Sequence, residues 1–310
     1  MQKVKLLVSV LGDSISTQYN KNAVEIEVTS ADVGVTLSAY ATLYDVGTVI
    51  GGHAISQEDV GNEITFTPTG EDVGKRVGVP LNYNTSVSKV WWQYLEEAFS
   101  CEVNPVCWSG SSMSSHEAAL DKYRASWGWH ESQIRKLGRR IPGSMEREAP
   151  DLVILYRGCN DMTHAPYAVL TKGYFDDPDW NYPETDVVQA QEVQAGYQEA
   201  MALTIGKIRS TYPDARIVIC TQNNFRRVNC DAFPTRNGLY NLPQFNRAVR
   251  ECADFFGCPV ISFDKDGITW ENCYVEGYIT DSPTIPTHPN DKGHQAMARQ
   301  AIADLKELLG

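Results

Sequence analysis

The sequence predicts an α/β protein: a flavodoxin-like three-layer α/β/α sandwich with a central five-stranded parallel sheet, plus a small antiparallel β insertion. Three observations support this prediction. Residues 4–11 and 151–156 are short and mostly apolar runs, which is typical of strands buried on both faces. Amphipathic helical segments alternate with such runs along most of the chain. Short β-rich segments interrupt the alternation only between residues 20 and 85.

The elements follow one another in the order that a parallel sheet requires. The first strand covers residues 4–11, and a helix over 86–99 leads to a second strand over 102–108. The third strand covers 151–156. The remaining elements are helix 186–209, strand 216–221, helix 242–256, strand 259–263 and the closing helix 291–309. Five parallel strands with helices on both faces follow from this count.

Four short motifs bring polar residues to one edge of the predicted sheet. The motif Gly-Asp-Ser ends the first strand at Ser14, Gly110 follows the second strand, and Gly-Cys-Asn-Asp follows the third at Asn160. His288 begins the motif His-Pro-Asn before the closing helix. Carboxyl ends of parallel strands meet at one edge, so Ser14 and Asn160 are expected in one crevice. A serine hydroxyl, an imidazole base and amide donors are the groups that acyl transfer needs.

In type and order, these motifs resemble those of the SGNH hydrolases, also called GDSL-type esterases and lipases. The resemblance implies that Ser14 is the nucleophile and His288 its general base. It implies an oxyanion hole formed by the backbone N–H groups of Ser14 and Gly110 and the side chain of Asn160. It also implies the same flavodoxin-like arrangement of the core.

The last motif departs from the family pattern three residues before His288. The family has an aspartate there that orients the imidazole, whereas this chain has Ile285. Three alternatives remain open: Asp281 reaches the imidazole from a rearranged loop, a backbone carbonyl near Ile285 accepts the Nδ1 proton, or the chain is a weakened or inactive relative. Loss of the orienting carboxylate costs about 10⁴-fold in kcat in one well-studied protease. An active enzyme would therefore need a replacement acceptor.

Residues 20–85 contain an internal repeat. The tripeptide Asp-Val-Gly recurs there at Asp32, Asp45, Asp59 and Asp72. Spacing of this kind is typical of short strands joined by turns. We therefore predict a hydrolase core of residues 1–19 and 86–310 and an inserted β-rich subdomain of residues 20–85. The insertion is faintly similar to Ig-like modules of bacterial surface proteins, and it could bind carbohydrate, cover the active site, mediate oligomerisation or simply pack on the core.

Composition and charge narrow the range of partners. The net charge is −12 and there is no basic cluster, which argues against nucleic acid and anionic membranes. No apolar run reaches the roughly 18 to 20 residues of a membrane span. The first strand begins too early for a signal peptide to precede it, so we expect a cytoplasmic protein, with a removed leader left open.

Cysteine and histidine usage gives no indication of a metal or cofactor. The eight cysteines are scattered without Cys-x-x-Cys spacing, as expected of reduced and mostly buried thiols. Cys159, inside the Asn160 motif, is interpreted as a small apolar filler. His288, Asp291 and His294 resemble a metal-binding set, but a capping role for Asn290 and a surface or packing role for His294 explain the pattern better.

The sequence thus favours a serine esterase that cleaves small acyl esters, with O-acetyl groups on carbohydrate as candidate substrates. Aromatic segments around Trp127 and at residues 174–182 would suit sugar rings or an acyl group. Arg157 could face the same crevice and select an anionic substrate, or be held in a salt bridge. Two alternatives remain: a weak or inactive hydrolase core that serves as a carbohydrate- or protein-binding module, and a thioesterase or lysophospholipase. The oligomeric state stays undetermined.

Overall fold

The structure, a computed structural model, consists of two compact units: residues 1–17 with 87–310, and residues 18–86. The residues that it describes are 5–17, 26–41, 45–59, 63–77, 87–107, 111–113, 133–140, 147–164, 197–223, 242–266, 268, 277–278 and 288–309. The predicted division into a core of residues 1–19 and 86–310 and an inserted subdomain of residues 20–85 stays a prediction.

The first unit contains the parallel sheet. Its strands, numbered in chain order, are β1 (Leu7–Gly12), β2 (Glu102–Cys107), β3 (Leu152–Tyr156), β4 (Arg216–Cys220) and β5 (Val260–Ile261). They lie side by side in the order β2-β1-β3-β4-β5, and every pairing is parallel. This is the flavodoxin-like strand order. The predicted fold class is confirmed.

Strands β1 and β3 lie inside the sheet and are buried along their whole length. Helices cover both faces of the sheet, so these strands carry apolar side chains on both faces. Gly12 pairs with Tyr156 of β3 and with Cys107 of β2. The three strands therefore end at the same level, and the residues that follow them meet at the carboxyl edge of the sheet.

Six α-helices are described in this unit. They are α1 (Gln93–Phe99), α2 (Cys159–His164), α3 (Tyr197–Thr211), α4 (Leu242–Phe256), α5 (Phe263–Asp266) and α6 (Asp291–Leu309). Val153 and Leu155 pack with α3 and α4 on one face of the sheet. Ile154 and Tyr156 pack with α1 and α6 on the other. None of the described helices is long and apolar enough to cross a membrane.

Helix α1 begins seven residues later than the sequence pattern predicts. The indole N–H of Trp91 donates to Ser16 Oγ (2.9 Å), and that of Trp92 donates to the Ser16 carbonyl oxygen (2.8 Å). Both tryptophans are buried. These contacts hold residues 91 and 92 in a turn that precedes the helix, and the α-helix itself starts at Gln93. Helix α3 is described from Tyr197 onward, and the predicted start at residue 186 lies outside the described residues.

The second unit consists of short antiparallel pairs, as predicted for the insertion. These pair Ile26–Glu27 with Arg76–Val77, Leu37–Tyr40 with Glu63–Phe66, and Val49–Ile50 with His53–Ala54. The unit has a hydrophobic cluster of its own, which includes Val28, Ala39, Ile50, Ile64, Phe66 and Val77.

The Asp-Val-Gly repeats form turns in this unit. In the three repeats for which the structure describes the residue three positions earlier, the aspartate carboxylate accepts both the backbone N–H and the side-chain O–H of that serine or threonine. The pairs are Asp32 with Thr29, Asp59 with Ser56, and Asp72 with Thr69, at 2.6 to 2.9 Å. The glycine of the described repeats has a positive φ, as at Gly47 (89°), which only glycine adopts without strain. The repeat is therefore a recurring turn in which the aspartate satisfies local donors.

Gly158 joins β3 to α2 in a conformation that leaves no room for a side chain. Its φ is 145°. A Cβ there would lie 2.9 Å from Phe245 Cε1 and 3.1 Å from Gln222 Nε2. The turn that presents Asn160 therefore depends on this glycine.

We expect Gly158→Ala to lower the free energy of unfolding by about 2 to 4 kcal/mol, because it adds overpacking to backbone strain. The matched control is Gly257→Ala, where φ is 63° and no atom lies within 4 Å of the added Cβ. That variant should lose only about 1 to 2 kcal/mol, from backbone strain alone. Urea unfolding followed by tryptophan fluorescence measures both, since all seven tryptophans lie in the first unit. Equal losses would contradict the packing argument.

Candidate active site

Ser14 and His288, far apart in sequence, lie within hydrogen-bonding distance of each other. Ser14 follows the end of β1 by two residues and begins a single 3₁₀ turn, Ser14–Ser16. Asp13 caps this turn, because its Oδ1 accepts the N–H of Ile15 (3.0 Å). His288 Nε2 lies 2.9 Å from Ser14 Oγ, and both side chains are buried. A hydroxyl beside an imidazole is the arrangement that an activated serine requires.

The start of α6 fixes the position of His288. Asn290 Oδ1 accepts the N–H of Gly293 (3.1 Å), so the predicted capping role of Asn290 is confirmed. The Asn290 N–H donates to the carbonyl oxygen of Tyr278 (3.0 Å). A Cβ on Gly293 would overlap that same carbonyl oxygen. Cap and glycine together allow the start of α6, just after His288, to lie close to the Tyr278 backbone.

Asn160 lies in the first turn of α2, at the same edge of the sheet. Its amide nitrogen donates to the Ser111 carbonyl oxygen (2.8 Å). The Ser111 hydroxyl in turn donates to the Gly12 carbonyl oxygen (3.1 Å). Asn160 is thus joined through Ser111 to the residue that ends β1. Gly110, the other predicted oxyanion donor, lies outside the described residues.

A buried group of ionisable residues lies beside the turn that contains Ser14. Asp13, Arg157 and Asp161 are each at most 1% exposed. Arg157 Nε donates to the Gly12 carbonyl oxygen (3.2 Å), and Asp161 Oδ2 accepts the N–H of Met113 (2.8 Å). Arg157 is buried and bound to the backbone, so it does not select an anionic substrate as one reading of the sequence suggested.

Burial changes the pKa values of two of these groups. Desolvation raises the pKa of Asp13 to about 7, although the Ile15 N–H and the Arg157 charge oppose the change. Desolvation also lowers the pKa of Arg157 to about 10, with Asp13 and Asp161 among the groups that oppose the change. Arg157 therefore keeps its positive charge at neutral pH, whereas Asp13 titrates there.

His294 is a packing residue and not a surface residue. It is fully buried, and the backbone N–H of Trp91 donates to its Nδ1 (3.3 Å). Burial lowers the pKa of His294 to about 3, so the imidazole is neutral. The Asp291 carboxylate accepts the N–H and O–H of Ser88 (both 2.8 Å). Within the described ranges, no group of three histidine, cysteine, aspartate or glutamate residues could hold a metal ion.

The six described cysteines are buried thiols, as predicted. Cys159 is among them and lies beside Asn160. Burial raises the pKa of Cys107, at the end of β2, well above the ordinary thiol range. Such thiols are poor nucleophiles at neutral pH, and they act as apolar packing groups.

The structure leaves some predicted site residues undescribed and adds two that the sequence analysis did not assign. Asp281 and Ile285 lie outside the described residues, so the group that orients His288 stays a prediction. Ser111 and Asp161 had no assigned role, yet each makes a hydrogen bond between two segments of the site. The only sequence signal for either was its position beside Gly110 or Asn160.

Stability should depend on pH through Asp13. Its pKa is about 7 in the folded protein against an ordinary value of 3.8. Between these values the folded protein holds a proton that the unfolded chain has released. The free energy of unfolding therefore falls as pH rises through this window, by up to about 1.4 kcal/mol per pH unit, and levels off above it. Asp13→Asn keeps the acceptor for Ile15 but cannot ionise.

Urea unfolding of the wild type and Asp13→Asn at several pH values across this window checks this expectation. Relative to the wild type, the variant should gain stability steadily as pH rises, because titrations common to both proteins cancel in the difference. A difference that does not change with pH would show that Asp13 titrates normally.

Among solved structures, a Bacteroides uniformis protein assigned as a GDSL-like lipase has the same fold. It is 15% identical, with a TM-score of 0.50, and the match covers 98% of this chain and 96% of that one. A Chitinophaga pinensis protein assigned as a lipase is 15% identical, with coverages of 98% and 99% and a TM-score of 0.49. A family two carbohydrate esterase from Clostridium thermocellum is 16% identical, with coverages of 100% and 66% and a TM-score of 0.48.

Solved structures of such low sequence identity show the fold alone, whereas a family profile assigns the chain to a family. No curated protein matches the chain. The profile of the GDSL-like lipase/acylhydrolase family matches residues 109–296, which is more than half of the chain. The match includes Asn160 and His288, and the Gly-Asp-Ser motif with Ser14 precedes it. The chain therefore belongs to the GDSL-like lipase/acylhydrolase family, the SGNH hydrolases.

Proposed function

We propose that this protein is a serine esterase that cleaves small acyl esters through an acyl-enzyme intermediate. The observation that carries the proposal is the 2.9 Å contact between Ser14 Oγ and His288 Nε2 at the carboxyl edge of the sheet. Family membership supports hydrolysis in general. The nucleophile, the base and the substrate are the parts that we propose.

In the first step, Ser14 Oγ attacks the carbonyl carbon of the ester, and His288 Nε2 takes the hydroxyl proton. Nε2 can act as the base only if the neutral imidazole carries its proton on Nδ1. The tetrahedral intermediate collapses when the imidazolium returns this proton to the leaving alkoxide. The alcohol departs and the acyl group remains bound to Ser14 Oγ.

Water completes the cycle by the same route. It gives one proton to His288 Nε2 as its oxygen attacks the acyl carbon. The second tetrahedral intermediate collapses with transfer of that proton to Ser14 Oγ. The carboxylic acid is released, and both side chains return to their starting states.

Asn160 is the proposed side-chain donor to the oxyanion. Its amide has two N–H bonds, and the bond to the Ser111 carbonyl oxygen uses one of them. The second can donate to the developing oxyanion, together with the backbone N–H groups of Ser14 and Gly110. Each such donor is worth about 2.7 to 4 kcal/mol in the transition state.

The proposal requires an acceptor for the Nδ1 proton of His288. Asp281 and a backbone carbonyl near Ile285 are both candidates. Either would hold the imidazole with Nε2 toward Ser14, and a carbonyl would do so without adding negative charge. The choice between them stays open.

O-acetyl groups on carbohydrate are the substrates that we propose first. The net charge of −12 disfavours polyanionic substrates. Two aromatic-rich segments, around Trp127 and at residues 174–182, follow the Gly110 and Asn160 motifs in sequence and would suit sugar rings. A thioesterase or lysophospholipase, and a binding module on an inactive core, are the alternatives that the experiments below distinguish.

Ser14→Ala and His288→Ala should each lower kcat/KM for p-nitrophenyl acetate by at least about 10³-fold, because the first removes the proposed nucleophile and the second removes its general base. A fluorophosphonate should label the wild type at Ser14, as read by mass spectrometry. Ser16→Ala is the matched control: Ser16 is a buried serine in the same turn, but its hydroxyl accepts the Trp91 indole N–H. Absence of labelling and of Ser14-dependent turnover would favour the binding-module alternative.

A panel of p-nitrophenyl acetate, butyrate and octanoate should show turnover that falls as the acyl chain lengthens. Acetic acid release from an acetylated oligosaccharide should also depend on Ser14, because a small acyl group on a sugar is the proposed substrate. Faster turnover of octanoate than of acetate would instead indicate a thioesterase or lysophospholipase.

A further inference from the structure

Residues 111–113 form a short buried segment that is held from two sides. The Ser111 hydroxyl donates to the carbonyl oxygen of Gly12 at the end of β1 (3.1 Å). The Met113 N–H donates to Asp161 Oδ2 in the first turn of α2 (2.8 Å). Ser111, Met113 and Asp161 are each at most 1% exposed. Water does not compete for these hydrogen bonds, so they define the backbone position of the segment.

Asn160 depends on this segment for its orientation. The acceptor for its amide is the Ser111 carbonyl oxygen (2.8 Å). An amide that donates one N–H to a fixed acceptor has its plane and its second N–H set by that acceptor. A shift of the Ser111 carbonyl would therefore turn the second N–H of Asn160 away from its target.

Asp161 is the neighbour of Asn160 in the same helical turn, and it binds the same segment two residues further on. The two side chains thus hold the ends of residues 111–113 from one helix. Arg157, also buried, interacts electrostatically with Asp161. The carboxylate therefore offers two separable properties: an acceptor oxygen for Met113 and a negative charge near Arg157.

We propose that Asp161 is a positioning residue for the oxyanion site, acting through the Met113 N–H and the Ser111 carbonyl on the Asn160 amide. The inference rests on the proposed esterase function, in which Asn160 donates to the oxyanion. Asp161 touches no reacting atom. Its effect is on the transition state, because the Asn160 amide is aimed at charge that develops only there.

The experiment is a double-mutant cycle between Asp161 and Asn160, with kcat and KM for p-nitrophenyl acetate as readouts. Asp161→Ala should lower kcat about 10- to 100-fold with KM nearly unchanged. In an Asn160→Ala background the same change should lower kcat less than about 3-fold, because the group through which Asp161 acts is already absent. Asp161→Asn should restore most of kcat, since the amide oxygen can still accept the Met113 N–H.

Asp151→Ala is the matched control. Asp151 Oδ2 also accepts a backbone N–H, that of Leu7 (2.7 Å), but at the opposite edge of the sheet. This variant should change kcat by less than about 2-fold, because the bond it removes lies far from the developing charge. Asp161→Leu, which has the branched shape of aspartate without an acceptor, replaces Asp161→Ala if that variant does not fold.

The same loss of kcat in both Asn160 backgrounds would overturn the inference, as would an equal loss in Asp151→Ala. The inference would also be overturned if the kcat of Asp161→Asn were no higher than that of Asp161→Ala. In that case the negative charge beside Arg157 would matter, and the acceptor oxygen for Met113 would not. A wild type without Ser14-dependent turnover would overturn the proposed function itself, and the inference with it.

Discussion

One carbonyl oxygen, that of Gly12, connects the segments that form the site. It accepts the Arg157 guanidinium from the end of β3 and the Ser111 hydroxyl from the chain beyond β2. The parallel register makes this possible, because Gly12 is level with Cys107 and Tyr156. Ser14 follows two residues later, so the position of its hydroxyl depends on how firmly this peptide group is held. A carbonyl with two buried donors has both lone pairs satisfied and little freedom to move.

This arrangement has an energetic cost. It buries an arginine and two carboxyl groups, and the desolvation of each charge is unfavourable. The raised pKa of Asp13 is the measurable sign of that cost. Apolar residues of similar size would pack there with a smaller desolvation penalty. The polar residues instead form hydrogen bonds with backbone groups beside Ser14, which apolar residues could not form.

The sequence predicted helices and strands correctly where a single hydrophobic pattern marked the element. The bounds of α4 and α6 agree with the predicted ones, because each helix has a clear apolar face and a defined end. Strands β1 and β3 were found because strands buried on both faces are mostly apolar. The late start of α1 could not be foreseen, since it depends on indole hydrogen bonds to Ser16, which is distant in sequence.

The same reasoning explains which parts of the site were missed. Ser14, Asn160 and His288 stood in recognisable motifs, whereas Ser111 and the buried state of Arg157 depend on tertiary contacts alone. An arginine after an apolar strand carries no local sign of whether its guanidinium points inward. The Asp-Val-Gly repeat was recognised as a turn signal, but the serine or threonine three residues earlier became meaningful only with the hydrogen bonds in view.

The tryptophan contacts to Ser16 have a consequence for how this chain can change over evolutionary time. The first unit is interrupted after Thr17 and resumes at Val87. The indole N–H groups of Trp91 and Trp92, a few residues after it resumes, donate to Ser16, which lies just before the interruption. In the chain of the first unit, residues 18–86 are therefore a loop whose two ends are held together by these hydrogen bonds. Closing a loop twice as long costs only about 0.6 kcal/mol more. This junction is therefore a place where modules of different size can be gained, lost or exchanged while the Ser14–Ser16 turn stays unchanged.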